Sequence, residues 1–309
     1  MSKRNTKKVT EWYLDTPWGK VALISWGEPS KPPVLLLHGY MDNAGTYVTL
    51  IDNLPDTHYY VAFDIPGHGK SDPFPLGPLM SVGHAVAAMR EVVQHLAWRR
   101  FHFVGHSMGY IVGVLYNRVY PHEITRIVGL DPKPPIANHY FSDHLALWYY
   151  RYPTYYDDLN DPSTTAAKLY PRSATLRHVM TSRALTAAQA RPVVDRALVP
   201  ADNGLYRLSF EKNAKLITNI PLSFSTFLDV LTKHFVPTLM IHGTKSKIMY
   251  EVTKEPTEIF MKKLRGTVKN LTEVSVDGGH DIHMTNAPEC AKSIVEFLEK
   301  DMSNKKCKL

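Results

Sequence analysis

At 309 residues, 44% apolar and 21% charged, the chain has the size and balance of one large domain with an insertion or of two small ones, which excludes a disordered or collagen-like protein. Its formal charge of +7 lies in the two ends: residues 1–8 carry +4 and residues 300–309 carry +3, while residues 9–299 hold 28 basic and 28 acidic side chains. A neutral body argues against nucleic acid as a partner.

The basic opening MSKRNTKK runs into VTEWYLD and not into an apolar stretch, so no secretory signal is expected there. Short apolar runs at 21–26, 34–37, 59–63, 101–104 and 126–130 read as strands, the second buried on both faces. Apolar residues at helical spacing mark 85–96 and 108–119. The alternation resumes with a strand at 237–242, a helix at 257–264, a strand at 273–276 and a last helix at 288–300. This order predicts an α/β fold, a mostly parallel sheet with helices on both faces. Residues 132–235 interrupt it with the turn-rich DPKPP at 131–135, a helix-like piece at 184–190 and few convincing strands. The expected division is a core over 1–131, a helical insertion over 132–235, and the rest of the core over 236–309 with its basic tail. Within the insertion, residues 139–162 hold eight aromatics (Tyr140, Phe141, Trp148, Tyr149, Tyr150, Tyr152, Tyr155 and Tyr156), where the chain average of 11% would give fewer than three. These rings either line an apolar pocket under a cap or pack the cap's own core. No apolar run reaches the ~18 residues of a membrane helix. Two cysteines, Cys290 and Cys307, are too few for a disulfide framework and fit a reducing compartment. The chain ends Cys307-Lys308-Leu309, a near match to the S-K-L type of peroxisomal import signal, so cytoplasm and peroxisome stand as alternative addresses, with an import receptor as the partner in the second case.

Three short motifs carry the chemistry. Gly105-His106-Ser107-Met108-Gly109 follows an apolar strand and opens a helix. Glycines two before and two after a serine permit the sharp strand-to-helix turn that exposes its hydroxyl at the sheet edge as a nucleophile. His38-Gly39 ends the strand at 34–37, which would bring the N–H of Tyr40 beside that serine, to form an oxyanion hole with the N–H of Met108. Asp277-Gly278-Gly279-His280 lies between the last strand and the last helix, where a histidine can act as general base and then acid. His283, three residues later, competes for that role, and a structural histidine is the third option. The remaining histidines, His68, His84 and His106 among them, read as surface or packing residues.

With these motifs the sequence resembles the α/β-hydrolase superfamily, and within it the serine hydrolase-like proteins of animals with their kraken-type branch. The segments that carry the resemblance are PWGKVA (17–22), LHGYMDNAGTY (37–47), LPDTHYYVAFDIPGHGKS (54–71), GHSMGY (105–110), LDP (130–132) and GGHDIHM (278–284). It is strong over 12–135 and 236–299 and weak across the insertion. The resemblance implies a cofactor-independent, metal-free serine hydrolase acting on a small apolar ester or related acyl bond. Ser107 would be the nucleophile, His280 the base, and the N–H groups of Tyr40 and Met108 the oxyanion donors. A hydrolase-fold binding protein or receptor with little turnover is the rival reading.

Two departures bear on that choice. Tyr110 stands where a small residue commonly follows GHSMG, so a phenol would crowd the turn or face the pocket. The family's usual acid sits in a G-x-x-D turn, but Gly243-Thr244-Lys245-Ser246-Lys247 has no carboxylate before Glu251. Some α/β-hydrolases take the acid instead from the end of the strand after the nucleophile helix. Asp131 occupies that place, 24 residues after Ser107, and is the expected third member; an aspartate before Pro132 that merely caps a turn is the alternative.

Overall fold

A computed structural model describes residues 7–75, 80–141, 168–210, 214, 215, 217, 219, 222–247 and 254–299, with the side chains of 138–141 outside that description. Eleven strands occur among these residues: β1 (Val9–Thr16), β2 (Gly19–Trp26), β3 (Pro33–Leu37), β4 (Tyr59–Phe63), β5 (Phe101–His106), β6 (Ile124–Leu130), β7 (Leu169–Tyr170), β8 (Leu198–Pro200), β9 (Tyr206–Leu208), β10 (Thr238–Gly243) and β11 (Leu271–Val276). The α-helices are α1 (Val48–Asn53), α2 (Val82–His95), α3 (Met108–Val119), α4 (Lys133–Phe141), α5 (Arg172–Ser182), α6 (Ala187–Ala197), α7 (Phe224–Thr232), α8 (Lys254–Thr267), α9 (Ile282–Thr285) and α10 (Ala287–Glu299).

Eight strands form one sheet in the order β1-β2-β4-β3-β5-β6-β10-β11. The β1–β2 and β2–β4 pairs are antiparallel and every other pair is parallel. The continuous apolar run of β3 divides between two cores as the pleat requires, Leu35 and Leu37 on one face, Val34 and Leu36 on the other. Helices α2, α3 and α8 cover the first face; α1 and α10 cover the second. Strand β5 sits near the middle, between β3 and β6, so the ends of these three parallel strands open onto the same sheet edge. Ligands in open α/β sheets bind at that carboxyl edge.

Several elements differ from the sequence expectation. Edge strand β1 lies in the polar start of the chain: β2 is its one neighbour in the sheet, and of its side chains Trp12 and Leu14 pack against the first core. The DPKPP turn opens helix α4, because prolines at 134 and 135 occupy its first turn, where their missing N–H groups would have had no helical partner. The expected helix at 184–190 begins only at Ala187; Ala184 has φ of 52° and terminates α5 instead. The insertion also contains a small three-stranded antiparallel sheet, β7-β9-β8, from strands of two or three residues that are too short to show a period. His84 has a specific duty, forming a capping box with Ser81 at the start of α2. The side chains of the eight aromatics at 139–162 lie outside the described residues, as does the tail 300–309 with Cys307-Lys308-Leu309. Among the described residues no helix is long and apolar enough to cross a membrane.

Candidate active site

Ser107 joins β5 to α3 with φ of 52° and ψ of −123°, a conformation that non-glycine residues adopt only under constraint. The constraint is close packing at both flanking glycines. A Cβ at Gly105 would sit 2.5 Å from the backbone nitrogen of Tyr110, and one at Gly109 would sit 2.1 Å from the carbonyl oxygen of Leu37. Tyr110 does not face a pocket: it is 2% exposed and packs in the core, its ring lying over Gly129.

His280 and Asp131 converge on that turn. Ser107 Oγ lies 2.9 Å from His280 Nε2, and His280 Nδ1 lies 2.6 Å from Asp131 Oδ2. An ionised carboxylate only accepts, so Nδ1 carries the hydrogen and Nε2 presents its lone pair to the serine hydroxyl. Asp131 is 1% exposed and adopts φ of 48°, a left-handed conformation that Asp tolerates better than most residues. Its side chain does not cap its own turn. It accepts hydrogen bonds from His280, from the Gly243 N–H at 3.0 Å and from the Ser246 hydroxyl. Burial favours the neutral acid, but these bonds, led by that from His280, outweigh it and hold the carboxyl below its ordinary range. Glu251, the other carboxylate weighed from sequence, lies outside the described residues.

His283 is placed elsewhere. It is fully buried with Nε2 2.7 Å from Thr46 Oγ1, and burial brings its pKa down to about 3. His106 lies between the two, its ring centroid 4.7 Å from His280 and 4.2 Å from His283. Its Nε2–H donates to the backbone carbonyl of His280 at 3.0 Å, which fixes the loop that carries that residue. Burial, then the neighbouring imidazoles, push His106 well below its ordinary value. Of the three neighbouring rings, tilted by 45° and 43° to one another, the two buried ones are therefore held neutral at pH 7.

The loop after β3 reaches the same place. A Cβ on Gly39 would stand 2.9 Å from Ser107 Cβ, so only glycine lets the two backbones approach this closely. His38 is fully buried, with Nε2 accepting from the Ile65 N–H at 3.0 Å; Nδ1–H therefore donates to the Gly39 carbonyl at 2.8 Å. Because a trans peptide points its C=O and N–H in opposite directions, that bond fixes the heading of the Tyr40 N–H. The Tyr40 side chain points away, 49% exposed, and donates to the Lys215 carbonyl. Met108 opens α3, where backbone N–H groups have no intrahelical acceptor. A buried phenol joins the two loops: Tyr47 Oη donates to the Leu37 carbonyl at 2.6 Å and accepts from the His106 N–H at 3.2 Å.

Sequence reasoning did not single out His38, Tyr47 or His106 as supporting residues, nor Asp42 and Arg183 beside them. The last two form a buried ion pair with contacts at 3.0 and 2.9 Å. For Asp42 the only available signal was a carboxylate inside an apolar, glycine-punctuated segment; Arg183 gives none, since its partners are 141 and 98 positions away.

A doubly covered, mostly parallel sheet with a serine on its strand-to-helix turn and a histidine and an aspartate gathered at one edge defines an α/β-hydrolase. Residues 32–287 match the model of the alpha/beta hydrolase fold family, and the chain belongs to that family. It is 28% identical to serine hydrolase-like protein 2 of Homo sapiens, over 94% of this chain and 94% of that protein. A serine hydrolase-like protein of Danio rerio is also 28% identical, over 95% of this chain and 89% of its own. Among solved structures, the thioesterase domain from the curacin biosynthetic pathway superposes with a TM-score of 0.76 at 22% identity, covering 93% of this chain and 99% of that one, a likeness of fold.

Proposed function

We propose that this hydrolase cleaves a carboxylic ester or a related acyl bond through an acyl-enzyme on Ser107. His280 Nε2 takes the proton as Ser107 Oγ attacks the acyl carbon, and Asp131 stabilises the resulting imidazolium through Nδ1–H. The backbone N–H groups of Met108 and Tyr40 stabilise the oxyanion, each donor contributing ~3 kcal/mol to the transition state. His280 returns the proton to the leaving alcohol as the tetrahedral intermediate collapses. Water, deprotonated by the same imidazole, then releases the acid and restores the serine. The segment 132–235 serves as the cap over this centre, and an apolar acyl or alcohol group is the expected occupant beneath it.

The observation that carries the reading is the unbroken series Ser107 Oγ, His280 and Asp131 at 2.9 and 2.6 Å. It also supports turnover against the one feature that favoured a binding protein, the missing acid after β10. A panel of p-nitrophenyl esters graded in acyl length tests it. The wild type should release a burst of about one product equivalent per chain on its best ester, and Ser107→Ala should release none while remaining folded. No turnover on any ester, amide or thioester would return the reading to a binding protein.

A further inference from the structure

Arg183 stands at the junction of the insertion with both loops of the site. It caps α5, and Ala184 follows in the left-handed conformation; Leu185 N–H then closes back on the Met180 carbonyl at 2.9 Å. This six-to-one closure turns the chain sharply and leaves the Arg183 side chain facing the core. One edge of its guanidinium contacts both oxygens of Asp42, at 3.0 and 2.9 Å, and Nη2 also pairs with Asp281 Oδ1. Thr46 Oγ1 and Met284 Sδ complete its surroundings, each 3.4 Å from Nη2. The two carboxylates are not equivalent in position. Asp42 lies three residues after Gly39, on the loop that abuts Ser107; Asp281 directly follows His280. The Arg183 side chain is 18% exposed and those of Asp42 and Asp281 are 5% and 13%. Such a planar fork can hold two carboxylates at fixed angles at once, which a lysine cannot.

The same cluster has the donors of a metal site: His106, Asp281 and His283 bring one ligand atom each within 4.8 Å of one another. The positive charge at Asp281 is the guanidinium, which belongs to the insertion and adds an ionic tie to the direct contact between the two loops, Thr46 Oγ1 to His283 Nε2 at 2.7 Å.

We propose that Arg183 is a positioning residue for catalysis: it holds the oxyanion loop and the histidine loop at a fixed separation, making the insertion a working part of the site. The proposal rests on the serine hydrolase reading for its kinetic consequence. Its structural consequence stands apart. Helix α6 is fastened by other bonds: to the histidine loop from Gln189 Nε2 to the Met284 carbonyl at 2.6 Å, to the oxyanion loop from Asn43 Nδ2 to the Val193 carbonyl at 3.0 Å, and to the core from Arg196 Nε to Asp64 at 2.8 and 3.0 Å. Loss of Arg183 therefore removes the ionic tie on each loop and loosens both, while the Thr46–His283 contact and the bonds of α6 remain.

The test compares wild type, Arg183→Lys and Arg183→Met in the full chain by amide hydrogen exchange over 39–46 and 277–285, and by ester kinetics. Arg183→Met should lose protection in both loops, with α6 unchanged, and lose at least tenfold in kcat with KM within about threefold. Arg183→Lys, which keeps the charge but not the fork, should restore part of both. Unchanged exchange in either loop overturns the proposal, whether or not the protein turns over any ester; so does loosening of both loops with wild-type kcat. If Arg183→Met does not fold, Asp42→Asn and Asp281→Asn each release one arm. Each should then loosen its own loop more than the other, and equal loosening of both would overturn the proposal as well.

Discussion

The turns that follow β6 and β10 are neighbours at the sheet edge, since the strands pair in parallel with Leu130 opposite Ile241. They share one duty unequally. The first supplies the charge, as Asp131; the second, where the family's usual acid would stand, supplies the Gly243 N–H and the Ser246 hydroxyl that hold Asp131 in place. If Asp131 is the catalytic acid, as proposed, its position is set by contact with His280 Nδ1, 2.6 Å away, and not by one strand. The turn after β10 touches the same carboxylate, which makes it the place to which the acid could be moved.

Of the two turns, the first should be the more sensitive to substitution. Asp131→Asn keeps a residue suited to φ of 48° and so keeps stability, but should lower kcat on the order of 10²–10⁴ with partial recovery at higher pH. Steady-state rates from pH 6 to 10 check this, and near-wild-type turnover would break the comparison. A smaller and more pointed effect comes from moving the acid. Asp131→Gly, which suits the same backbone, should be as inactive as Asp131→Asn, and adding Ser246→Asp should recover at least tenfold. No recovery in a folded double variant would mean that the second turn has lost the geometry as well as the charge. Ser246→Ala alone removes one of three hydrogen bonds to Asp131 and should cost less than tenfold in kcat with unchanged KM.

The smallest effect concerns acid stability. Asp131 and Asp42 both ionise below their usual range in the folded chain, the first led by its bond from His280 and the second by its pairing with Arg183, in each case against the effect of burial. The unfolded chain, with aspartates near ~3.9, therefore takes up protons first as pH falls. The stability these groups contribute is complete above about pH 5 and declines as pH drops below about 4. Urea unfolding at pH 7, 5, 4 and 3 should show a shallower decline in Asp42→Asn than in the wild type, and an identical decline would contradict the assignment.

Much of this edge was legible in the sequence because local rules determine it. A strand-to-helix turn around Ser107 needs its glycines nearby, and β4 and α3 match their expected limits, 59–63 and 108–119, because their apolar pattern is unbroken. His280 was separable from His283 by its place after two glycines at the strand end, and Asp131 by its place after the next strand. What was not legible depends on distant partners. His106 reads as a packing residue, and only its bond to the His280 carbonyl and its place between the His280 and His283 rings show that it holds the histidine loop. Arg183 meets Asp42 and Asp281 across the fold with no pattern in its own neighbourhood to announce the pairing. The short strands β7, β8 and β9 are too brief for a period of two to be visible against their polar surroundings.

The central claim is that Ser107 forms a covalent acyl intermediate with His280 as its base, and the most direct measurement is the intact mass of the protein after exposure to a fluorophosphonate. The wild type should gain one phosphonyl group, mapped by peptide analysis to Ser107, at a rate that falls strongly in His280→Ala and only slightly in His283→Ala. Ser107→Ala should gain none. An adduct that persists in folded Ser107→Ala, or a wild type that stays unmodified, would contradict the account.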